Sequence, residues 1–363
     1  MKITLVAGAR PNFMKIAPII DAIRSKRANG TAIDFRLVHT GQHYDKNMSD
    51  NFFEELGIPY PDNNLEGGGG TQAEQTAAIM VKFEQELMQN RPDCVLVVGD
   101  VTSTLACSIV AKKLCVDVIH VEAGIRSGDM TMPEEINRMV TDSITDYFFT
   151  TSEMANGNLR KSGIEESRIF FVGNTMIDTL LKNKDRLRKP PITDSAGLKD
   201  GQYFVITLHR PANVDGEQKL SNLLNRIIEL SRGLPVIFPV HPRTARMLQS
   251  LDIKSDNLHF IDPLGYLEFN YLVAHSKAVI TDSGGITEET TVMGIPCITL
   301  RDSTERPETV TMGTNELIGT NPDALIPVME KLFSGQWKQG VIPPLWDGQS
   351  AGRIIDAVMN IYG

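Results

Sequence analysis

The chain has 363 residues, with 36 Lys and Arg against 45 Asp and Glu, a formal net charge of −9. At roughly 100–200 residues per domain this length predicts two or three domains, and 41% hydrophobic with 22% charged residues is ordinary globular usage. The acidic balance argues against a nucleic-acid-binding surface as the main function, because such surfaces carry a basic excess or stripe; a local basic pocket remains compatible with it.

No apolar run reaches the ~18 residues of a membrane span, and the opening MKITLVAGAR meets Arg10 too early for a signal peptide. Cys94, Cys107, Cys115 and Cys297 show neither CxxC pairing nor zinc-type spacing with histidine. They are expected to be buried free thiols, packed as small hydrophobes, in a reducing cytoplasm.

Short β-branched runs alternate with helical patterns along the chain. Strands are predicted at 3–7, 35–39, 94–98, 116–121, 147–150 and 169–172, with helices at 11–23, 71–88, 102–114 and 133–145. Strand–helix alternation without two-residue alternation inside the strands implies parallel sheets covered on both faces, an α/β fold. After the Lys-, Arg-, Pro- and Asp-rich stretch 182–201, which reads as a linker, a second strand series follows at 203–207, 236–239, 259–261, 278–281 and 297–300. Two Rossmann-like, doubly wound domains are therefore expected, 1–172 and 173–349, facing each other across a cleft. The terminal helix 350–363 is expected to join the first. Ligands in such sheets bind beyond the carboxyl ends of the strands.

That rule makes the residues after each strand the candidates for chemistry. The first strand is followed by Gly8-Ala9-Arg10-Pro11 and a helix bearing Lys15. A glycine turn feeding a helix N-terminus offers N–H groups and dipole charge to an anion; a plain βα turn with solvated basic residues fits the same spacing. Neither GxGxxG nor GxxxxGK[ST] is present. His39 and His43 are four apart but lack the further ligands a metal needs, so hydrogen bonding is expected and no metal site. Asp100 follows Gly99 at the end of 94–98 and opens a helix, where it also suits a cap. Glu122 continues an apolar strand, a position costly to bury unless the carboxylate is paired or used. Pro133 sits at the favoured first helical position, and Glu134 and Arg138 share a face as an i,i+4 pair worth a few tenths of a kcal/mol. Three carboxylates gathered at strand ends can supply acid and base groups.

In the second series, strand ends lead to His209, to His241 and to Ser283-Gly284-Gly285 with Glu289 one turn further on. A Ser-Gly-Gly turn opening a helix lets N–H groups approach phosphate with no side chain in the way, and Glu289 is spaced to reach ribose hydroxyls.

GARPNFMKIAPI, GDVTSTLA, HVEAGIRSGD, MPEEINR, VGNTMIDTL, LHRPANV, VHPRT, TDSGGITEE and RDSTERPET run in order over nearly the whole chain. Together they resemble the UDP-N-acetylglucosamine 2-epimerase family, whose fold is the two-domain glycosyltransferase-B type. The resemblance implies that Ser283, Gly284 and Gly285 bind a diphosphate, Glu289 the ribose, and Arg10 and His241 further parts of UDP. It implies that Lys15, Asp100, Glu122, Glu134, Arg138 and His209 surround the sugar. It also implies a cytoplasmic homodimer acting on a UDP-sugar for polysaccharide biosynthesis, with no cofactor, nucleic acid or membrane partner. The reaction implied is reversible C2 epimerisation of UDP-N-acetylglucosamine to UDP-N-acetylmannosamine by loss and re-addition of UDP through 2-acetamidoglucal. The alternatives are hydrolytic release of N-acetylmannosamine, a related UDP-diacetamido sugar as substrate, or a glycosyltransferase or non-catalytic binder on the same fold.

The chain departs from the family in three places. Pro211-Ala212-Asn213 stands where a second Arg often follows His-Arg, and the spacer before Pro133 is short. The Gln-His-x-x-Met segment linked to substrate activation is Gln42-His43-Tyr44-Asp45-Lys46, followed by a glycine run at 67–70. Allosteric activation by substrate is not expected.

Overall fold

The computed structural model describes residues 1–42, 53–240, 248, 253 and 255–363. The chain divides into two compact units, one of Met1–Lys182 with Pro344–Gly363, the other Asn183–Pro343.

In the first unit β1 (Lys2–Ala7) buries every residue after Lys2, as a strand covered on both faces must. It is followed by α1 (Arg10–Ala28), β2 (Asp34–His39), β3 (Asn63–Asn64), α2 (Gln72–Gln89), β4 (Cys94–Val98), α3 (Thr102–Lys113), β5 (Asp117–Val121), α4 (Pro133–Ile144), β6 (Tyr147–Thr150), α5 (Glu153–Lys161), β7 (Ile169–Phe171) and α6 (Thr175–Asn183). Local signals set these boundaries. Thr71 caps α2 by accepting from the Glu74 N–H while Glu74 accepts from the Thr71 N–H, the reciprocal arrangement that satisfies two orphan donors. Pro133 opens α4 at a position where its missing N–H costs nothing.

The sheet order is β3-β2-β1-β4-β5-β6-β7 with parallel pairings throughout. The chain winds outward from β1 through β2 to β3, then returns to lay β4 on the other side of β1. The C-terminal ends of β1 and β4 are therefore the topological switch point, where a crevice opens in such sheets.

The second unit repeats the scheme with β8 (Phe204–Thr207), α7 (Glu217–Leu230), β9 (Val236–Pro239), β10 (Leu258–Ile261), α8 (Tyr266–His275), β11 (Ala278–Thr281), α9 (Gly284–Met293), β12 (Cys297–Thr299), β13 (Asn315–Leu317) and α10 (Leu325–Phe333). Its order is β10-β9-β8-β11-β12-β13, again parallel, with the switch point between β8 and β11. Phe204, Ile206, Leu224, Phe238 and Ile280 are among its most buried core residues. The linker expected at 182–201 contains a short helix, Ile192–Ser195, with Thr193 buried.

α11 (Ser350–Tyr362) returns to the first unit and packs on α1. Asp178 of α6 caps it, accepting from the N–H groups of Ser350 and Ala351 at 3.1 and 2.7 Å. Trp346, fully buried just before it, donates from Nε1 to the Thr151 carbonyl.

Among the described residues no helix is long and apolar enough to cross a membrane. Cys94, Cys107 and Cys297 are buried free thiols, and burial pushes the Cys297 thiol up to about 12. Cys115 corrects the expectation of burial: it is exposed, in a left-handed turn (φ 54°) one residue past the end-cap of α3.

Candidate active site at the strand ends

The residues following β1 and β4 are tied together by Asn12 of α1. Its Oδ1 accepts from the N–H groups of Gly8 and Ala9, both at 3.0 Å, while its Nδ2 donates to the Val98 carbonyl at 3.1 Å. A Cβ on Gly8 would overlap Ser103 of α3, so glycine is required for this close packing. Arg10 begins α1 beside this turn, and burial holds its guanidinium below the ordinary value against the opposing charge of Glu55.

Lys15, one turn further along α1, is buried and places Nζ 2.7 Å from Oε1 of Glu122. Glu122 leaves β5 with φ 73°, a left-handed conformation uncommon for a residue bearing Cβ. Its N–H donates to the Phe149 carbonyl at 2.8 Å. Gly99 at the end of β4 packs against the same pair: a Cβ there would come within 2.9 Å of Lys15 Nζ.

Asp100 accepts two hydrogen bonds from Arg138, Nε at 2.9 Å and NH2 at 2.6 Å, both on Oδ2. Arg138 also donates to Glu135 at 2.5 Å. The i,i+4 spacing expected Glu134 as Arg138's structural partner, but these ion pairs go to Asp100 and Glu135. Glu134 stands half-buried in the first turn of α4. Glu135 is buried and also accepts from the N–H groups of Ser127 and Gly128 at 3.0 Å each and from the Ser127 hydroxyl at 3.1 Å, and these three bonds order the loop before α4. Burial pushes the Glu135 carboxyl up, but those N–H groups and Arg138 outweigh it and hold it below the ordinary range.

At the second switch point Asp282, fully buried directly after β11, is the organising group. It accepts from the N–H groups of His209 and Arg210 and from Asn213 Nδ2 at 3.1 Å, and its Oδ1 lies 2.7 Å from His209 Nδ1. The His209 side chain is 61% exposed, so Asp282 fixes the ring while leaving its other edge accessible. Burial raises the Asp282 carboxyl, and His209, the Arg210 N–H and Asn213 together bring it below its usual value. Ser283 precedes α9 in an extended conformation, and Gly284 and Gly285 form its first turn. Gly284 packs against the buried Arg301–Glu305 ion pair, which a Cβ would meet. Glu289, buried on α9, accepts from the Tyr266 hydroxyl at 2.8 Å, and burial raises its carboxyl to about 7.

Thus Lys15 joins Glu122, and Arg138 joins Asp100, in the first unit; His209 joins Asp282 at the turn that carries Ser283 in the second. His241 and residues 43–46 of the activation-type segment lie outside the described residues. Gln42 points its Oε1 at the N–H and hydroxyl of Ser103, at 3.1 and 2.8 Å. Among the described residues no group of three or more His, Cys, Asp or Glu side chains is placed to hold a metal ion.

Sequence reasoning passed over Asn12, Asp282, Asn213 and Glu135. Asp282 carried the signal that marked Glu122, an acid directly ending an apolar strand. Asn12, Asn213 and Glu135 carried no comparable signal, because their partners are set by tertiary packing.

Carboxylates paired with cations beyond the strand ends of one unit, and a glycine-opened helix beside a His–Asp pair in the other, define a two-unit parallel α/β protein with ionisable groups gathered at its strand ends. The chain belongs to the UDP-N-acetylglucosamine 2-epimerase family, whose model matches residues 26–359. It is 42% identical over 367 residues to the UDP-N-acetylglucosamine 2-epimerase of Methanocaldococcus jannaschii, covering 98% of each chain. The crystal structure of the Methanocaldococcus jannaschii UDP-GlcNAc 2-epimerase in complex with UDP-GlcNAc and UDP superposes with a TM-score of 0.88 at 42% identity over 100% of both chains. The UDP-2,3-diacetamido-2,3-dideoxy-D-glucuronate 2-epimerase of Pseudomonas aeruginosa is 41% identical over 330 residues, 90% of each chain.

Proposed function

We propose that the protein is a non-hydrolysing epimerase that interconverts UDP-N-acetylglucosamine and UDP-N-acetylmannosamine. No carbonyl acidifies the C2–H bond of a 2-acetamido sugar, so the leaving group must provide the route. A carboxylate takes the C2 proton, the C1–O bond breaks, and UDP departs with the bonding pair, leaving 2-acetamidoglucal. UDP then re-forms the C1–O bond as a proton is delivered to the other face of C2.

Asp100, Glu122 and Glu134 together serve proton transfer and stabilise the cationic sugar, and groups of this kind contribute about 10²–10⁴-fold each. Arg138 and Lys15 pair directly with Asp100 and Glu122 and orient their carboxyl groups. His209, oriented by Asp282, stabilises developing charge, while Arg10, His241 and the Ser283-Gly284-Gly285 turn hold the diphosphate and Glu289 the ribose. The observation that carries this reading is the pairing of Asp100 and Glu122 with Arg138 and Lys15 at adjacent strand ends, in a chain of this family. The Pseudomonas aeruginosa relative favours a second reading, in which the substrate is a UDP-diacetamido uronic acid.

Incubation with UDP-N-acetylglucosamine in D₂O, followed by proton NMR, tests the proposal. The expected result is UDP-N-acetylmannosamine with deuterium at C2. Free N-acetylmannosamine would support the hydrolysing reaction instead. Absence of both exchange and product, with turnover of the diacetamido uronic acid, would move the assignment to the second reading.

A further inference from the structure

His120 interrupts the apolar run of β5 and is fully buried, a position that is costly unless its ring nitrogens are bonded. Nε2 lies 2.7 Å from the Gly99 carbonyl oxygen and Nδ1 2.8 Å from Asp142 Oδ1. A carbonyl only accepts, so Nε2 donates to it. Asp142, on α4, also receives the Gly124 N–H at 3.1 Å and the Arg126 guanidinium at 2.6 Å on its other oxygen. Burial pushes the Asp142 carboxyl up, but His120 and Arg126 outweigh it and keep the group ionised, an acceptor for Nδ1.

The 99–100 segment is held at several points. The Gly99 N–H donates to Val121, the Gly99 carbonyl accepts from His120, and the Asp100 carbonyl accepts from Asn137 Nδ2 at 2.9 Å. Gly99 has φ 67° and no side chain to restrain its peptide, so the bond from His120 fixes what glycine leaves free. Asn137, Arg138 and Asp142 all belong to α4. His120 bonds at once to the end of β4 and to the helix that carries Arg138 and Glu134.

We infer that His120, clamped by Asp142, is a positioning residue: it locks the Gly99 peptide and sets the register of α4 against β4, so that Arg138 meets Asp100. This rests on the proton-transfer reading of Asp100 given above.

The test compares wild type, H120Q, D142N and the double variant, by the kinetics of C2 deuterium exchange, UDP affinity by calorimetry and amide hydrogen exchange. H120Q is expected to lower kcat about 10²-fold, the scale of a small misplacement of reacting groups, with KM and UDP affinity within about threefold. The double variant is expected to be no slower than the slower single variant, because the two residues act as one unit. Amide exchange at residues 99–101 is expected to rise by about tenfold or more while that of the second unit is unchanged. D142N, which keeps the ring and removes the charge, carries the same expectations should H120Q fail to fold. A kcat within about threefold of wild type, losses in UDP affinity that match those in kcat, or losses that multiply in the double variant would overturn the inference. Absence of C2 exchange in wild type would count against the epimerase reading alone. Amide exchange then decides the positioning claim: raised exchange at 99–101 in a folded variant sustains it, and wild-type protection there overturns it.

Discussion

At the scale of single residues, the second unit holds two buried carboxyl groups in opposite ways. Asp282 is fully buried, yet its partners hold it below the ordinary range. It therefore adds stability at neutral pH that is lost as pH falls below about 4 toward its folded value. Glu289 is buried with Tyr266 and Asn270, and burial wins, raising it to about 7. The folded state binds this proton more tightly than the unfolded chain, whose glutamates titrate near about 4.3. Its contribution is complete below that value and is lost as pH rises toward 7. Replacing Glu289 with Gln removes the penalty, so urea denaturation should find E289Q gaining on wild type between pH 5 and 8, by on the order of 3 kcal/mol. A constant difference across that range would contradict the assignment. The sequence marked Glu289 by its spacing from the Ser283-Gly284-Gly285 turn and Glu122 by its place at the end of an apolar strand. It did not reveal that Glu289 faces a tyrosine hydroxyl 23 residues earlier in the chain, because no local pattern encodes that approach.

At the scale of elements, α4 shows how far helical spacing reaches. Its proline start was legible in the sequence, and Glu134 and Arg138 do lie one turn apart. Spacing names only neighbours on the same helix, however, and Arg138 bonds to Asp100, 38 residues away, as well as to Glu135. Two charge-assisted bonds to a partner across the strand end are stronger than an exposed i,i+4 pair. The two adjacent glutamates should consequently separate on mutation. Truncating Glu135 removes the acceptor of two loop N–H groups and one partner of a buried ion pair, so E135A should lose about 3 kcal/mol or more of stability. E134A should stay within about 0.5 kcal/mol of wild type while losing most of its turnover. Equal destabilisation of the two variants in urea would contradict this division of roles.

At the scale of the molecule, the α/β class followed from strand–helix alternation, and the strand-end rule pointed to the turns where the proposed site residues lie. The apolar strands β1, β4, β5, β8 and β11 announced themselves; β1 with β4 and β8 with β11 flank the two switch points, and β5 lies beside β4. The edges did not. β3 is two asparagines and β13 is Asn-Glu-Leu; such short polar strands are defined by their neighbours rather than by any period of their own. The net charge of −9 likewise concealed the local balance, because Lys15, Arg126 and Arg138 are each spent on a carboxylate within the first unit.

The central claim is that the bond between the sugar and UDP breaks and re-forms during each inversion at C2. Positional isotope exchange tests it directly, using UDP-N-acetylglucosamine carrying ¹⁸O in the bridge between C1 and the β-phosphate, followed by phosphorus NMR. The account predicts that the label scrambles into the non-bridging β-phosphate positions as UDP-N-acetylmannosamine appears. Epimerisation with the label retained wholly in the bridge would contradict it.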